Sequence, residues 1–271
     1  VNRYIRRYWQ GGLELATIML EYLTRTGDEA WFKRQGCPII LDLLRFYHGY
    51  YDQRDANGKI RFEPSQSLET WHDATNPTPD IAGLMHVIDR LLELPPRLVG
   101  EADREWLGAF REALPAIPTG PSESGEGERI VPAERYDDLK NMENCDLYAV
   151  FPYPHGALGG PLHEQAQRSW PERRMKGVCG WFQDALHAAM LGRADDAADF
   201  LTAAWAVDLA TEEQASLGKP GKSIELRFPA FFGPNFDWVP DQDHTSVNAI
   251  ALQRMVLQTQ HGTTRLLPAW P

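Results

Sequence analysis

Apolar residues recur at helical spacing along most of this chain. Leu13, Ala16, Leu20 and Leu23 share one stripe, Gly27 closes the run, and Asp28 is placed to cap a second helix. That second helix carries Gly36, Ile40, Leu43 and Tyr47 on one face. A third is predicted over residues 79–94, with Thr78 as N-cap, Pro79 at the first helical position, and Pro95-Pro96 as the stop. Residues 101–114 read as a fourth. Residues 181–190 and 195–209 read as a helical hairpin turning at Leu191-Gly192-Arg193, where Ala185, Ala188 and Ala189 permit close packing. The last helix is predicted over residues 245–260, ended at Gly262.

Period-two alternation is scarce. It surfaces at Ile60 and Phe62 and at Ile224, Leu226 and Phe228, which predicts short strands inside loops. Residues 115–132 are rich in proline, glycine, serine and glutamate and read as a surface loop. The pattern therefore predicts an all-α fold of paired helices, one domain over residues 1–271. Three connections are too long and aromatic to be simple joins: residues 57–78, 150–161 and 217–243. In a toroid of inner and outer helices such loops can gather at one end. They would bring Trp71, His72, Tyr153, His155, Phe231, Phe232, Phe236 and Trp238 beside several carboxylates. Aromatic faces stack on the C–H faces of sugar rings while carboxylates and amides bind the hydroxyls, so the mixture suits a carbohydrate.

Charge narrows the partners. A net charge of -11 and a pI near 5.2 argue against nucleic acid. The longest apolar runs are far too short for a membrane span. Cys37, Cys145 and Cys179 show no metal-ligand spacing and read as buried small hydrophobes. His163-Glu164 lacks the spacing of a zinc site, and no phosphate loop or serine-hydrolase elbow is present, so neither metal nor cofactor is expected.

The sharpest signal is Pro64-Ser65-Gln66-Ser67-Leu68-Glu69, followed by Asn76-Pro77-Thr78-Pro79-Asp80. It resembles the P-S-x-S-P-E segment and P-T-x-D helix start of glycoside hydrolase family 95, with Leu68 in place of the proline. Near the C-terminus, Asp243 precedes a helix ending Arg254-Met255-Val256-Leu257-Gln258, and Leu266-Leu267-Pro268-Ala269-Trp270-Pro271 comes after it. That stretch is similar to the family's D-G-N-F-G segment, its helix end E-M-L-L-Q, and its L-L-P-A-L-P. Gly180-Trp181-Phe182-Gln183-Asp184 is similar to its helical-hairpin region. The resemblance implies an (α/α)6 barrel and hydrolysis, with inversion, of an α-L-fucoside or α-L-galactoside. It also implies a secreted or periplasmic location. It makes Glu69 the catalytic acid and puts Asp243 on the family's aspartate, as base or base-supporting group.

Chemistry independent of the resemblance points the same way. Glycoside hydrolysis needs one carboxyl to protonate the departing oxygen and a second to activate water or attack the anomeric carbon. Trp71, His72, Asn76, His155, Trp181, Asn235, Trp238 and His244 are the expected substrate contacts. His48, His86 and His187 lie within helices and read as packing or surface residues, and Asp80 as part of a helix opening. Two other readings stay open: a carbohydrate-binding protein without catalysis, and a polysaccharide lyase using Tyr153 and His155, with Arg173 or Arg174 neutralising a uronate. The helices are too few for a closed six-hairpin barrel, and the family's paired asparagines lie upstream of any segment present. An upstream region or a partner chain completing the ring is therefore expected.

Overall fold

The computed structural model describes residues 2, 4–178, 181–206 and 243–271. It divides into two compact units, residues 1–155 and 156–271. About half of the chain is helical and 14% is strand, in three small antiparallel sheets. The fold is thus mixed α and β, and no toroid is evident. This corrects the expectation of an all-α (α/α)6 barrel.

In the first unit, α1 (Gly11–Thr26) buries Leu13, Ala16, Leu20 and Leu23 and ends at Gly27, whose φ of 69° suits glycine. Asp28 accepts a hydrogen bond from the Trp31 N–H at 2.9 Å, capping α2 (Glu29–Trp31). A π-helical turn (Phe32–Gly36) carries the chain into α3 (Cys37–Tyr50), which buries Ile40, Leu41, Leu44 and Tyr47. In α4 (Thr78–Glu93) every residue from Thr78 to Met85 is buried. The Thr78 hydroxyl does not cap it. That hydroxyl donates instead to the Val131 carbonyl at 2.6 Å, tying the helix start to a stretch of chain 53 residues further on. A second amphipathic helix, α5 (Glu101–Ala113), buries Leu107 and Phe110.

Gly83 sits where α1, α4 and the Tyr153 ring meet. A Cβ there would lie 2.7 Å from the ring carbon Cζ and 2.9 Å from Leu13 Cδ1. Gly83→Ala is expected to lower unfolding free energy by about 1–3 kcal/mol, by forcing the buried Tyr153 ring out of place. Denaturant unfolding checks this, and an unchanged midpoint would show that the ring yields freely.

The strands explain the correction. β1 (Ser65–Ser67), β2 (Trp71–Pro77) and β5 (Ala133–Leu139) form one sheet in the order β1-β2-β5. Trp71 lies opposite Leu139, Ala74 opposite Tyr136 and Pro77 opposite Ala133. β3 (Thr119–Pro121) and β4 (Glu128–Ile130) pair within the stretch expected to be a loop. A one-turn 3-10 helix, Cys145–Ala149, is wholly buried.

The second unit holds α6 (His163–Glu172), α7 (Asp184–Met190) and α8 (Ala194–Ala206), then α9 (Asp243–Val256). The α7–α8 hairpin turns at Gly192, φ 75°, as the sequence predicts, and Ala185, Ala188 and Ala189 are buried. The last helix stops earlier than expected. Leu257–Gln260 is β6, paired with β7 (Thr263–Leu266) across His261-Gly262, both at positive φ. Gln258 reaches back to donate to the Ala189 and Arg254 carbonyls. Among the described residues no helix is long and apolar enough to cross a membrane.

Candidate functional site

Glu69 lies in the tight turn between β1 and β2, and the turn is strained. Leu68 is fully buried at φ 51°, a left-handed conformation that is uncommon for a branched side chain. A proline could not stand there, because its ring fixes φ near about −65°. Leu68 thus sets the local backbone path into Glu69. Gln66 fastens the N-terminal segment to this turn. Its Oε1 accepts from the Arg7 N–H at 2.7 Å, and its Nε2 donates to the Leu68 and Tyr4 carbonyls at 2.7 and 3.1 Å.

The turn also captures a second carboxyl. Glu143 Oε2 accepts from the Glu69 N–H at 2.9 Å and from the Thr70 hydroxyl at 2.8 Å, while the Glu143 N–H donates to Thr70 Oγ1. Asn141 Nδ2 donates to Glu69 Oε2 at 3.0 Å. Each carboxylate is thereby anchored through one oxygen, and no partner stands at the other Oε among the described residues. Burial pushes the Glu143 carboxyl up to about 7, with the charges of Glu69 and Glu14 adding to it and the bonds from Thr70 and Glu69 opposing it. A carboxyl so placed holds its proton close to neutral pH.

A third carboxyl comes from the first turn of α1. Glu14 is half-buried, and burial raises its carboxyl above its ordinary value, which a hydrogen bond from Gln10 opposes. Gln10 is 1% exposed and donates to the Tyr153 hydroxyl at 2.8 Å, while its Oε1 has no partner. Two phenols complete the group. Tyr8 and Tyr148 are both pushed up, first by burial and then by nearby charge, which includes Glu14 and Glu143 for each.

Asp80 lies deeper. It is 1% exposed, accepts a 2.6 Å bond from the Tyr47 hydroxyl, and is raised by burial to about 7. It and Glu143 bear on stability. A carboxyl raised in the folded state stabilises the fold fully below its unfolded pKa, and that contribution is lost as pH climbs through the folded value. Unfolding free energy is therefore expected to fall from about pH 5 to about pH 8 by on the order of 3 kcal/mol or more. Denaturant curves at the two pH values check it; stability that is flat or rises with pH would contradict it.

Among the described residues of the first unit that were expected from sequence as catalytic or substrate-binding, Glu69 lies in this group. Trp71 and His72 come next on β2, both half-buried. The Trp71 ring meets Tyr136 edge-on, and the His72 ring meets Tyr4, leaving His72 Nε2 buried without a hydrogen-bond partner. Asn76 serves structure: at φ 51° it accepts from the Phe62 N–H and donates to Glu134. His155 Nε2 is 2.9 Å from the Ala82 carbonyl. In the second unit Trp181 stacks on Phe182 with centroids 4.8 Å apart, and Asp243 is exposed as the first residue of α9. His244 lies in the same helix. Asn235 and Trp238 lie outside the described residues, as do Cys179 and the strand expected at 224–228. Cys37 and Cys145 are free and buried, as expected.

Sequence reading missed Glu143, Glu14, Gln10, Tyr8 and Tyr148. One signal was available: Gln10 and Glu14 are four residues apart at a helix start, hence on one face. Glu143 had none, since its partner turn is more than seventy residues away in sequence. No group of three or more His, Cys, Asp or Glu among the described residues is arranged to hold a metal ion. No protein-family model matches the chain, and no curated protein matches its sequence.

Proposed function

We propose that this chain hydrolyses a terminal glycosidic bond of an oligosaccharide or glycoconjugate, with Glu143 as proton donor and Glu69 as base. The observation that carries the reading is the Glu143 carboxyl, raised to about 7 and hung from the backbone and neighbour of Glu69. Glycoside hydrolysis asks for two carboxyls in such unequal settings, one keeping a proton near neutral pH and one free to accept. Glu69 keeps a catalytic place, but the acid role it was expected to fill passes to Glu143. The likeness of Pro64–Glu69 to family 95 supports the same chemistry and puts α-L-fucosides and α-L-galactosides first among substrates. A lyase is less well supported. The Tyr153 hydroxyl already holds Gln10, and Arg173 is buried in the second unit against Asp184 at 2.6 Å.

A panel of oligosaccharides, scored both for new reducing ends and for unsaturated products, tests this reading. Reducing ends without unsaturation are expected. Unsaturated products would establish a lyase, and sugar binding with neither product would establish a non-catalytic binder.

A further inference from the structure

The first unit carries an apolar face that its own core does not use. On α1, Leu15, Ile18 and Tyr22 recur three and four residues apart, on the side away from the buried stripe. On α3, Ile39, Phe46 and Tyr50 form a second row, seven and four residues apart. Each of the six exposes between 39% and 64% of its surface. The rows are neighbours, because the two helices run antiparallel side by side. A Cβ at Gly12, near the start of α1, would stand 2.7 Å from Leu43 Cδ1 in the middle of α3. Tyr22, near the end of α1, meets the Trp31 ring ahead of α3 with centroids 4.7 Å apart. Trp9 closes the other end, edge-on to Phe46 and Tyr50 at 5.2 and 5.6 Å, and those two rings stack on each other.

Size and charge say what fits. Aromatic side chains cover about 150–250 Å² each and Leu and Ile somewhat less, so the face presents roughly 500 Å². A monomer seldom leaves more than about 300–600 Å² of apolar surface in one patch, and such a patch is often functional. Laid against its own copy, the face covers about 1,000 Å² over both partners before the rim is added, which is the threshold for a specific interface. The rims carry both signs. Glu21 pairs with Arg25 on α1 at 3.4 Å, and Asp42 with Arg45 on α3 at 3.0 Å, all four at least 40% exposed. A two-fold partner therefore meets no wall of like charge at either edge, although the whole chain has a net charge of -11.

We infer that this face docks a second copy of the chain, with α1 and α3 of each copy packing as a two-fold layer of four helices. The inference is independent of the hydrolase reading. An isologous contact uses the same patch on both copies, so assembly stops at two. Association is driven by apolar burial and opposed at long range by the like net charge of the copies. Added salt screens that repulsion and tightens the dimer, whereas the exposed rim pairs contribute little.

The test is sedimentation equilibrium of the full chain from about 1 to 100 µM, at about 0.05 and 0.5 M salt. The mass is expected to rise from one copy to two and stop there, with the midpoint at lower concentration in the higher salt. Ile18→Lys places a charge in the face twice over and is expected to weaken the dimer at least about a hundredfold. Ile18 is 64% exposed, so the variant should keep the wild-type circular dichroism. Leu266→Lys, on an exposed position of β7 in the second unit, is the control and should dimerise like the wild type. Phe46→Glu repeats the test from α3 if Ile18→Lys does not fold, and the wild-type series needs neither variant. A chain that stays a monomer at both salts would give the face to another occupant and overturn the inference. So would a mass that climbs past two copies, a folded Ile18→Lys that dimerises like the wild type, or a dimer lost in Leu266→Lys.

Discussion

Glu143→Gln is expected to cut turnover of natural oligosaccharides by about 10²–10⁴-fold while leaving sugar binding nearly unchanged. The amide keeps the shape of the side chain and can still accept from the Glu69 N–H and the Thr70 hydroxyl at the 2.9 and 2.8 Å positions. What it cannot do is deliver a proton to the departing oxygen. The loss should therefore depend on the leaving group. Aryl glycosides whose phenolate departs without protonation should be hydrolysed by the variant at close to the wild-type rate. Steady-state rates on the two substrate types read the difference directly. Equal losses on both would mean that Glu143 holds the turn in place and does not transfer a proton.

Glu69→Gln should show the opposite selectivity. In the proposed role of base, Glu69 would act on the attacking water whatever the leaving group, so natural and activated glycosides should both lose about 10²–10⁴-fold. Azide, which attacks the anomeric carbon without needing a base, should restore part of the rate and leave a glycosyl azide as product. The bond from Asn141 to Glu69 Oε2 can be kept by the amide oxygen, which limits structural damage. Asp243→Asn is the comparison, on an exposed residue at the start of α9. A loss as large as that of Glu69→Gln, with the same azide rescue, would return the base role to Asp243.

The helices were legible because burial imposes a period on them. Leu13, Ala16, Leu20 and Leu23 are all buried, and the Gly27 and Gly192 turns fall where the chain needs positive φ. The strands were not, because β2 and β5 owe their pairing to something other than alternating apolar residues. β5 reads Ala-Glu-Arg-Tyr-Asp-Asp-Leu and is largely exposed or half-exposed, and Arg135 bridges it to Asp73 on β2. Leu257–Gln260 continues the helical pattern of α9, and only the His261-Gly262 turn shows that the chain doubles back. Glu69 was legible through its motif. Its partner was not, since Glu143 reaches the turn by hydrogen bonds across the fold, a relation that leaves no spacing in the sequence.

The most direct test of the account is the pH dependence of kcat/KM on a glycoside that the panel shows to be cleaved, measured for the wild type and for Glu143→Gln. With the Glu143 carboxyl at about 7, the protonated and active form is lost as pH rises through that value. The wild-type profile should therefore fall above about pH 7, and the residual activity of the variant on an activated aryl glycoside should lack that descending limb. A limb that persists unmoved in Glu143→Gln, or a wild-type profile that keeps rising through that range, would contradict it.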